Sequence, residues 1–223
     1  SVMSTHYLGD HFDIHCGGVD NIFPHHENEI AQSCASSGKE FVNYWLHNEH
    51  LIVDNQKMSK SLGNFYTLKY LLEKQCNPEA IRYTLMSTHY RAKLNFTFEK
   101  VQNSQKSINK LRELIRRLNL VNNNNNNNED SSEKDMLEKF SNKLGDDLNI
   151  SGALGELFTW VNDIFSKLDS NAINYKKAQE YLSALREIDN VLAVMYVEKF
   201  NASDEIQLLI DKRNQARLEK DWA

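Results

Sequence analysis

Phe12-Asp13-Ile14-His15-Cys16-Gly17-Gly18-Val19-Asp20, followed by Phe23-Pro24-His25-His26-Glu27-Asn28-Glu29, is the stretch that decides the fold class. Phe12-Asp13-Ile14-His15 reads as a short, largely buried strand. Pro24 suits the first turn of a helix whose register runs from His25 to about Ser37 and stops near Gly38. A second apolar run, Leu51-Ile52-Val53, follows as another strand. Strand, helix and strand in alternation predict an α/β region.

Downstream the pattern changes. Asn77-Pro78-Glu79 opens a helix with Ala80, Ile81, Tyr83, Thr84 and Leu85 at helical spacing. A longer helix is predicted from about Thr97 to Leu120. Its apolar stripe is Ile108, Leu111, Ile115 and Leu118, with Lys106, Lys110, Arg112, Arg116 and Arg117 mostly elsewhere. Asn122 to Asn128, with Glu129-Asp130-Ser131-Ser132, has no apolar surface to bury and reads as a solvated linker. Three helical stretches near Met136–Leu144, Gly152–Leu168 and Tyr175–Val197, and a last one from Ser203, read as an all-α bundle. Met3-Ser4-Thr5-His6-Tyr7 recurs as Met86-Ser87-Thr88-His89-Tyr90, but the flanks differ and no repeat is inferred.

Composition narrows the class. The 223 residues include only 8 glycines and 2 prolines, so long helices are expected. Three scattered cysteines, Cys16, Cys34 and Cys76, argue against a disulfide framework and fit a reducing compartment. No apolar run is long enough to cross a bilayer and the N-terminus is unlike a signal peptide, so a cytoplasmic protein without membrane contact is expected. A net charge of −5 means that any RNA contact must come from local basic stripes.

Three segments carry chemistry. His25 and Glu29, four apart on a helix, share a face and are both competent zinc ligands. The spacing is not His-Glu-x-x-His, and taken alone the pair is better accounted for by a solvated, polar helix start. Lys57-Met58-Ser59-Lys60-Ser61, with Gly63 after it, suits a loop that closes over phosphates. Two ammonium groups there stabilise the charge that builds on a leaving pyrophosphate. Gly17-Gly18 after a strand permits close backbone approach to a ligand, and Asp20 can accept hydrogen bonds, although taken alone the segment reads better as an ordinary tight turn.

Together and in this order, the three segments resemble the catalytic half of cysteinyl-tRNA synthetases, which are class I aminoacyl-tRNA synthetases. The likeness continues through Asn43-Tyr44-Trp45, Arg82-Tyr83, His89-Tyr90-Arg91 and Asp146-Asp147-Leu148-Asn149. It ends in Arg213-Asn214-Gln215-Ala216-Arg217 and Lys220-Asp221-Trp222-Ala223. The resemblance implies the C-terminal portion of such an enzyme. Residues 1–92 would be the second half of a Rossmann-like catalytic domain and 93–121 a stem-contact helical region. Residues 122–135 would be the linker and 136–223 a helical domain of the anticodon-binding type.

The resemblance further implies roles. His25 and Glu29 would be two of four ligands to one Zn2+, the others being cysteines upstream of Ser1. Lys60 would bind ATP phosphates with Lys57 assisting, as catalytic residues. His15, Gly17, Gly18 and Asp20 would line the adenylate pocket, although Cys16 stands where the family usually has glycine. Arg112, Arg116, Arg213, Arg217 and Lys220 would face tRNA. The implied reaction activates L-cysteine with ATP and Mg2+ and transfers it to tRNA(Cys), in a parent expected to be monomeric. With no His-x-Gly-His motif and two thiolates missing, the 223 residues alone are expected not to activate cysteine. A cysteine ligase with an amino-sugar acceptor and a non-catalytic tRNA-binding module are the alternatives.

Overall fold

The computed structural model describes residues 1–122 and 133–196. Its N-terminal part is built on β1 (Phe12–Gly18) and β2 (Val42–Asn48), which pair in parallel. A short helix, α1 (Val2–Leu8), precedes them, and α2 (Glu27–Ser37) makes the crossover. Gly38 ends α2 at φ 70, a left-handed conformation that costs glycine little. The parallel register sets His15 opposite Trp45 and Gly17 opposite His47. Strand alternation therefore puts these four on one face. The other face carries Ile14 and Tyr44, which are exposed.

The start of α2 departs from the sequence expectation. Pro24 does not open a regular α-helix. A 3-10 turn over Val19–Asn21 is followed by a wider turn over Ile22–His26, interrupted by the extended backbone of Phe23, and regular helix begins at Glu27.

A second, three-stranded sheet has the order β4-β3-β5, from β3 (Leu51–Val53), β4 (Gln56–Lys57) and β5 (Leu94–Phe96). Asp54 and Asn55, both at positive φ, form the tight β3–β4 turn, as expected for residues that tolerate that conformation. Between β4 and β5 lie α3 (Leu68–Glu73) and α4 (Pro78–Met86). Asn77 caps α4 by accepting from Glu79 N at 2.9 Å.

Helix α5 (Phe98–Asn119) joins this region to a three-helix bundle of α6 (Glu133–Gly145), α7 (Ile150–Asp169) and α8 (Tyr175–Leu192). Its buried stripe is Val101, Ser104, Ile108, Leu111, Leu114 and Leu118. Leu114, rather than the expected Ile115, lies at the centre of the packing, because the partners α4, α7 and α8 flank α5 more widely than a single seam. Burying one such leucine contributes about 1.5–3 kcal/mol. Thr84 Oγ1 and Ser104 Oγ, 2.7 Å apart, form a buried polar contact inside the α4–α5 interface. Trp160 is buried and meets Tyr181 edge to face at 5.4 Å.

Helix α8 stops at Leu192, before the expected Val197. Ala193 turns left-handed, and the buried Asp189 carboxylate accepts from Val194 N, Met195 N and Tyr196 N at 2.8, 2.9 and 3.1 Å. The α/β region followed by helices is the predicted class. The predicted helix from Ser203, together with Arg213, Arg217, Lys220 and Trp222, lies outside the described residues. So does the linker from Asn123 to Ser132. Among the described residues no helix is long and apolar enough to cross a membrane.

Candidate active site

The face shared by β1 and β2 receives the turn that leads into α2. His15 from β1, His26 from that turn and Glu29 from the first turn of α2 bring their donor atoms within 4.8 Å of one another. His15 Nε2 lies 3.2 Å from Glu29 Oε2. The other carboxylate oxygen, Oε1, accepts from the Ser1 amino group at 3.1 Å. Glu29 Oε2 is buried and has no hydrogen-bond partner among the described residues. His25 Nε2 stands 3.9 Å from the same oxygen, with its side chain 65% exposed.

His26 is 4% exposed. Its Nδ1 is 2.8 Å from His47 Nε2 on β2, and the ring packs against Trp45 and His15. Burial lowers the pKa of His26, and His15 and His47 lower it further against the opposing pull of Glu29. The ring is therefore neutral near pH 7, as a ligand or acceptor must be. For Glu29, burial opposes ionisation. The neighbouring His15 and His25 favour it.

Gly17 owes its identity to His26. A Cβ on Gly17 would lie 2.5 Å from His26 Cε1, so only glycine admits the imidazole here. The close approach expected at Gly17 is thus to a side chain of the protein itself. Asp20, on the 3-10 turn, is exposed. Cys16 points to the face opposite His15 and Gly17, so its sulfur does not crowd the histidines.

The donor set fits a borderline metal ion such as Zn2+, because two imidazoles and a carboxylate with a free buried lone pair are competent ligands. The structure gives Glu29 three imidazole neighbours where the sequence singles out one. Sequence reasoning misses His26, His47 and Trp45 as site residues. The period-2 pairing of Trp45 with His47 on β2 is the available signal, but it depends on a register that a single strand does not reveal.

Lys57 ends β4, and the loop from Met58 to Asn64 carries Lys60. The Asn64 side chain closes that loop, accepting from Ser59 N at 2.8 Å and donating to Lys57 O at 3.2 Å. Gly63 N donates to Lys60 O, with Gly63 at φ 68. Lys60 Nζ rests 5.6 Å above the exposed ring of Phe65. Lys60 is thus held by a ring face, a weak contact for an exposed cation.

Of the basic residues on α5, Arg112 is engaged within the fold. It donates to Val194 O and Met195 O at 3.0 and 3.2 Å and stands 3.7 Å from Glu79. Arg116 is more exposed and pairs along its own helix with Glu113 at 2.6 Å.

Residues 1–106 match the family model for the class I (C) tRNA synthetase catalytic domain, and residues 139–196 match the DALR domain. The cysteine–tRNA ligase of Protochlamydia amoebophila is 46% identical over 225 residues, covering all of this chain and 47% of the relative. That of Brachyspira hyodysenteriae is 49% identical over 232 residues, covering all of this chain and 48% of the relative. The chain belongs to the cysteine–tRNA ligase family. It spans about half the length of the curated relatives it matches. The fold agrees with that membership. The Mycobacterium tuberculosis methionyl-tRNA synthetase bound by methionyl-adenylate superposes with a TM-score of 0.60 at 21% identity, over 82% of this chain and 42% of that one. The Agrobacterium radiobacter K84 agnB2 LeuRS, solved with tRNA and LeuAMS, gives 0.61 at 17%, over 82% of this chain and 26% of that one.

Proposed function

We propose that this chain supplies the amino-acid-selecting and phosphate-binding parts of a cysteine–tRNA ligase, together with its tRNA-facing helices. The observation that carries the reading is the convergence of His15, His26 and Glu29 on one spot, in a chain related throughout its length to cysteine–tRNA ligases. Cysteine and serine differ by one atom, and a pocket relying on shape separates such isosteres poorly. A bound Zn2+ would supply a borderline-soft Lewis acid that prefers sulfur to a hydroxyl oxygen.

The residues of the chain do the rest. Glu29 would hold the metal with imidazole from His25, as the family resemblance implies, or from His15 and His26, which already face it. His47 orients the His26 ring through Nδ1, and Trp45 packs against that ring with Phe41 behind the indole. Lys60, with Lys57 at the base of the same loop, would neutralise the pyrophosphate as the cysteine carboxylate attacks the α-phosphorus of Mg2+–ATP. His15, Gly17, Gly18 and Asp20 would border the adenylate. A terminal ribose hydroxyl of tRNA(Cys) then takes the cysteinyl group. Phosphate contacts would come from Arg116, which can exchange Glu113 for a phosphate, and from Arg213, Arg217 and Lys220. Without a His-x-Gly-His motif, the 223 residues are expected not to form adenylate by themselves.

Cysteine-dependent ATP–pyrophosphate exchange by the full gene product, against serine and with a zinc chelator, tests the reading. Exchange with cysteine alone, abolished by the chelator, is the expected result. Equal exchange with serine would overturn metal-based selection, and no exchange with cysteine would overturn the ligase reading.

A further inference from the structure

His89-Tyr90-Arg91 and Asp146-Asp147-Leu148-Asn149 are far apart in sequence, and the proposed chemistry gives neither a role. The structure brings them together on one residue. His89 Nε2 lies 2.8 Å from the Asp147 carbonyl oxygen. Tyr90 OH donates to Asp147 Oδ1 at 2.5 Å. Arg91 donates through Nε to Oδ2 at 2.6 Å and through its terminal nitrogen to Oδ1 at 3.3 Å. The Arg91 guanidinium also lies 5.1 Å over the Tyr90 ring. Three consecutive residues of one segment thus clamp a single residue in the α6–α7 turn.

We infer that Asp147 is a positioning residue for the tRNA-dependent step, latching the helical bundle to the segment that borders the active-site strand β2. The inference rests on the ligase reading above.

Three observations point to placement rather than bulk stability. Exposed ion pairs contribute little to folding, and both Arg91 and Asp147 are exposed. Leu148, beside Asp147, nevertheless holds a positive φ of 56, a conformation that a bulky residue keeps only where its surroundings over-determine it. The seam beside the latch is open. A cavity of about 390 Å³ lies between Glu49, Leu85 and Tyr90 on one side and Leu144, Leu148 and Ile150 on the other. Apolar packing therefore does not close this part of the seam, and the polar clamp spans it.

The latch also reaches the active-site face. Tyr90 O accepts from Glu49 N at 2.7 Å, and Glu49 lies two residues beyond His47, the partner of His26. A tilt of the α6–α7 turn would pull on that connection, and with it on the bundle's angle to the site where the tRNA end must arrive. Misplacing a reacting group by about 1 Å can cost on the order of a hundredfold in rate.

The test uses the full gene product with Asp147→Asn, Arg91→Ala, Arg91→Lys and the double variant that combines Asp147→Asn with Arg91→Ala. Asparagine tolerates the left-handed backbone and keeps one oxygen acceptor, so Asp147→Asn removes the charge without remaking the turn. Each protein is assayed for cysteine-dependent pyrophosphate exchange and for aminoacylation across tRNA concentrations. The expected result is exchange within about twofold of the parent and a loss of roughly tenfold in kcat/KM for tRNA, the size of a moderate coupling between sites. Arg91→Lys, which keeps the charge but not the fork, should fall between, and the double variant should be no worse than Arg91→Ala alone. Aminoacylation equal to the parent's would overturn the inference and leave the ligase reading intact. Parallel loss of both activities with a lower melting temperature would also overturn it, because a structural role suffices for that. A parent without exchange would sink the ligase reading and this inference together.

Discussion

His26 Nδ1 and His47 Nε2 are 2.8 Å apart, one ring from the turn before α2 and the other from the parallel neighbour strand β2. This contact fixes the orientation of a buried imidazole that no backbone constraint would hold by itself. It also leaves Nε2 of His26 as the nitrogen available to other partners. Replacing His47 with leucine would leave His26 Nδ1 buried and unpaired. The expected cost is about 1–3 kcal/mol, measured by urea unfolding of His47→Leu against the parent. An unchanged midpoint would show that His26 finds another partner.

Gly17 makes room for that ring. A methyl group at Gly17 would meet His26 Cε1 at 2.5 Å, inside any tolerable contact, and His26 is wedged between Trp45 and His15 with little space to retreat. Gly17→Ala is expected to lower stability by about 1–3 kcal/mol and to abolish cysteine-dependent exchange. An alanine variant with parental exchange would mean that the His26 position has no bearing on the chemistry.

Lys60 sits over Phe65 in a loop whose hydrogen bonds are internal. Lys60→Ala is expected to lower kcat for exchange by about 10²–10³, the usual cost of losing one transition-state charge partner, with a much smaller change in KM for cysteine. Asn64→Ala, which opens the base of the loop, should act in the same direction and less strongly. If both variants changed only KM for cysteine, the loop would belong to amino-acid binding instead.

Glu29 faces three imidazoles with one oxygen unsatisfied, so it is the donor common to either ligand set. Glu29→Ala should strip zinc from the purified gene product to well below one per chain, read by plasma emission. His25→Ala and His26→Ala, analysed alongside, separate the two sets. Full zinc occupancy in Glu29→Ala would remove the metal from this site.

Much of this architecture was legible in the sequence, and the exceptions share a cause. Leu51–Val53, the α5 span and the Asn77–Pro78 helix start are local signals, set by apolar periodicity and by caps that act within one turn. Trp45, His47 and the Asp147 clamp are not local. Each depends on a strand register or on a contact across some 56 residues, which periodicity does not encode. The five residues Met3–Tyr7 and Met86–Tyr90 make the point directly. The first copy lies within α1, whereas the second leaves α4 after Met86 and turns toward Asp147. The same letters adopt the conformation that their surroundings require.

Asp189 explains the early end of α8 and predicts its own cost. Three backbone N–H groups donate to one buried carboxylate, and Asp189→Ala would leave Val194, Met195 and Tyr196 without that acceptor. Arg82 and Arg112 also donate to carbonyls of residues 191–195, so the disturbance would reach α4 and α5. The expected loss is about 2–4 kcal/mol by urea unfolding, and less for Asp189→Asn, which keeps one acceptor. A loss below about 0.5 kcal/mol, typical of an indifferent surface change, would show that the arginine–carbonyl hydrogen bonds alone hold the segment.

The Asp147 latch has a defined pH window. Hydrogen bonds from Arg91 and then Tyr90 hold the Asp147 carboxyl below its ordinary range. A carboxyl depressed in the folded state contributes fully above its unfolded value, near 3.9, and the contribution disappears as pH falls through the lower folded value. Tyr90 is raised, chiefly by its hydrogen bond to Asp147. Its contribution is therefore complete below about 10 and disappears only as pH rises through the raised folded value. The difference in unfolding free energy between the parent and Asp147→Asn should accordingly be flat from about pH 5 to pH 9. It should close only in stronger acid or base. A difference that changed between pH 5 and 8 would place the control of this joint on a histidine, with His89 the first to replace, and would falsify the assignment of the latch to the Asp147 carboxylate.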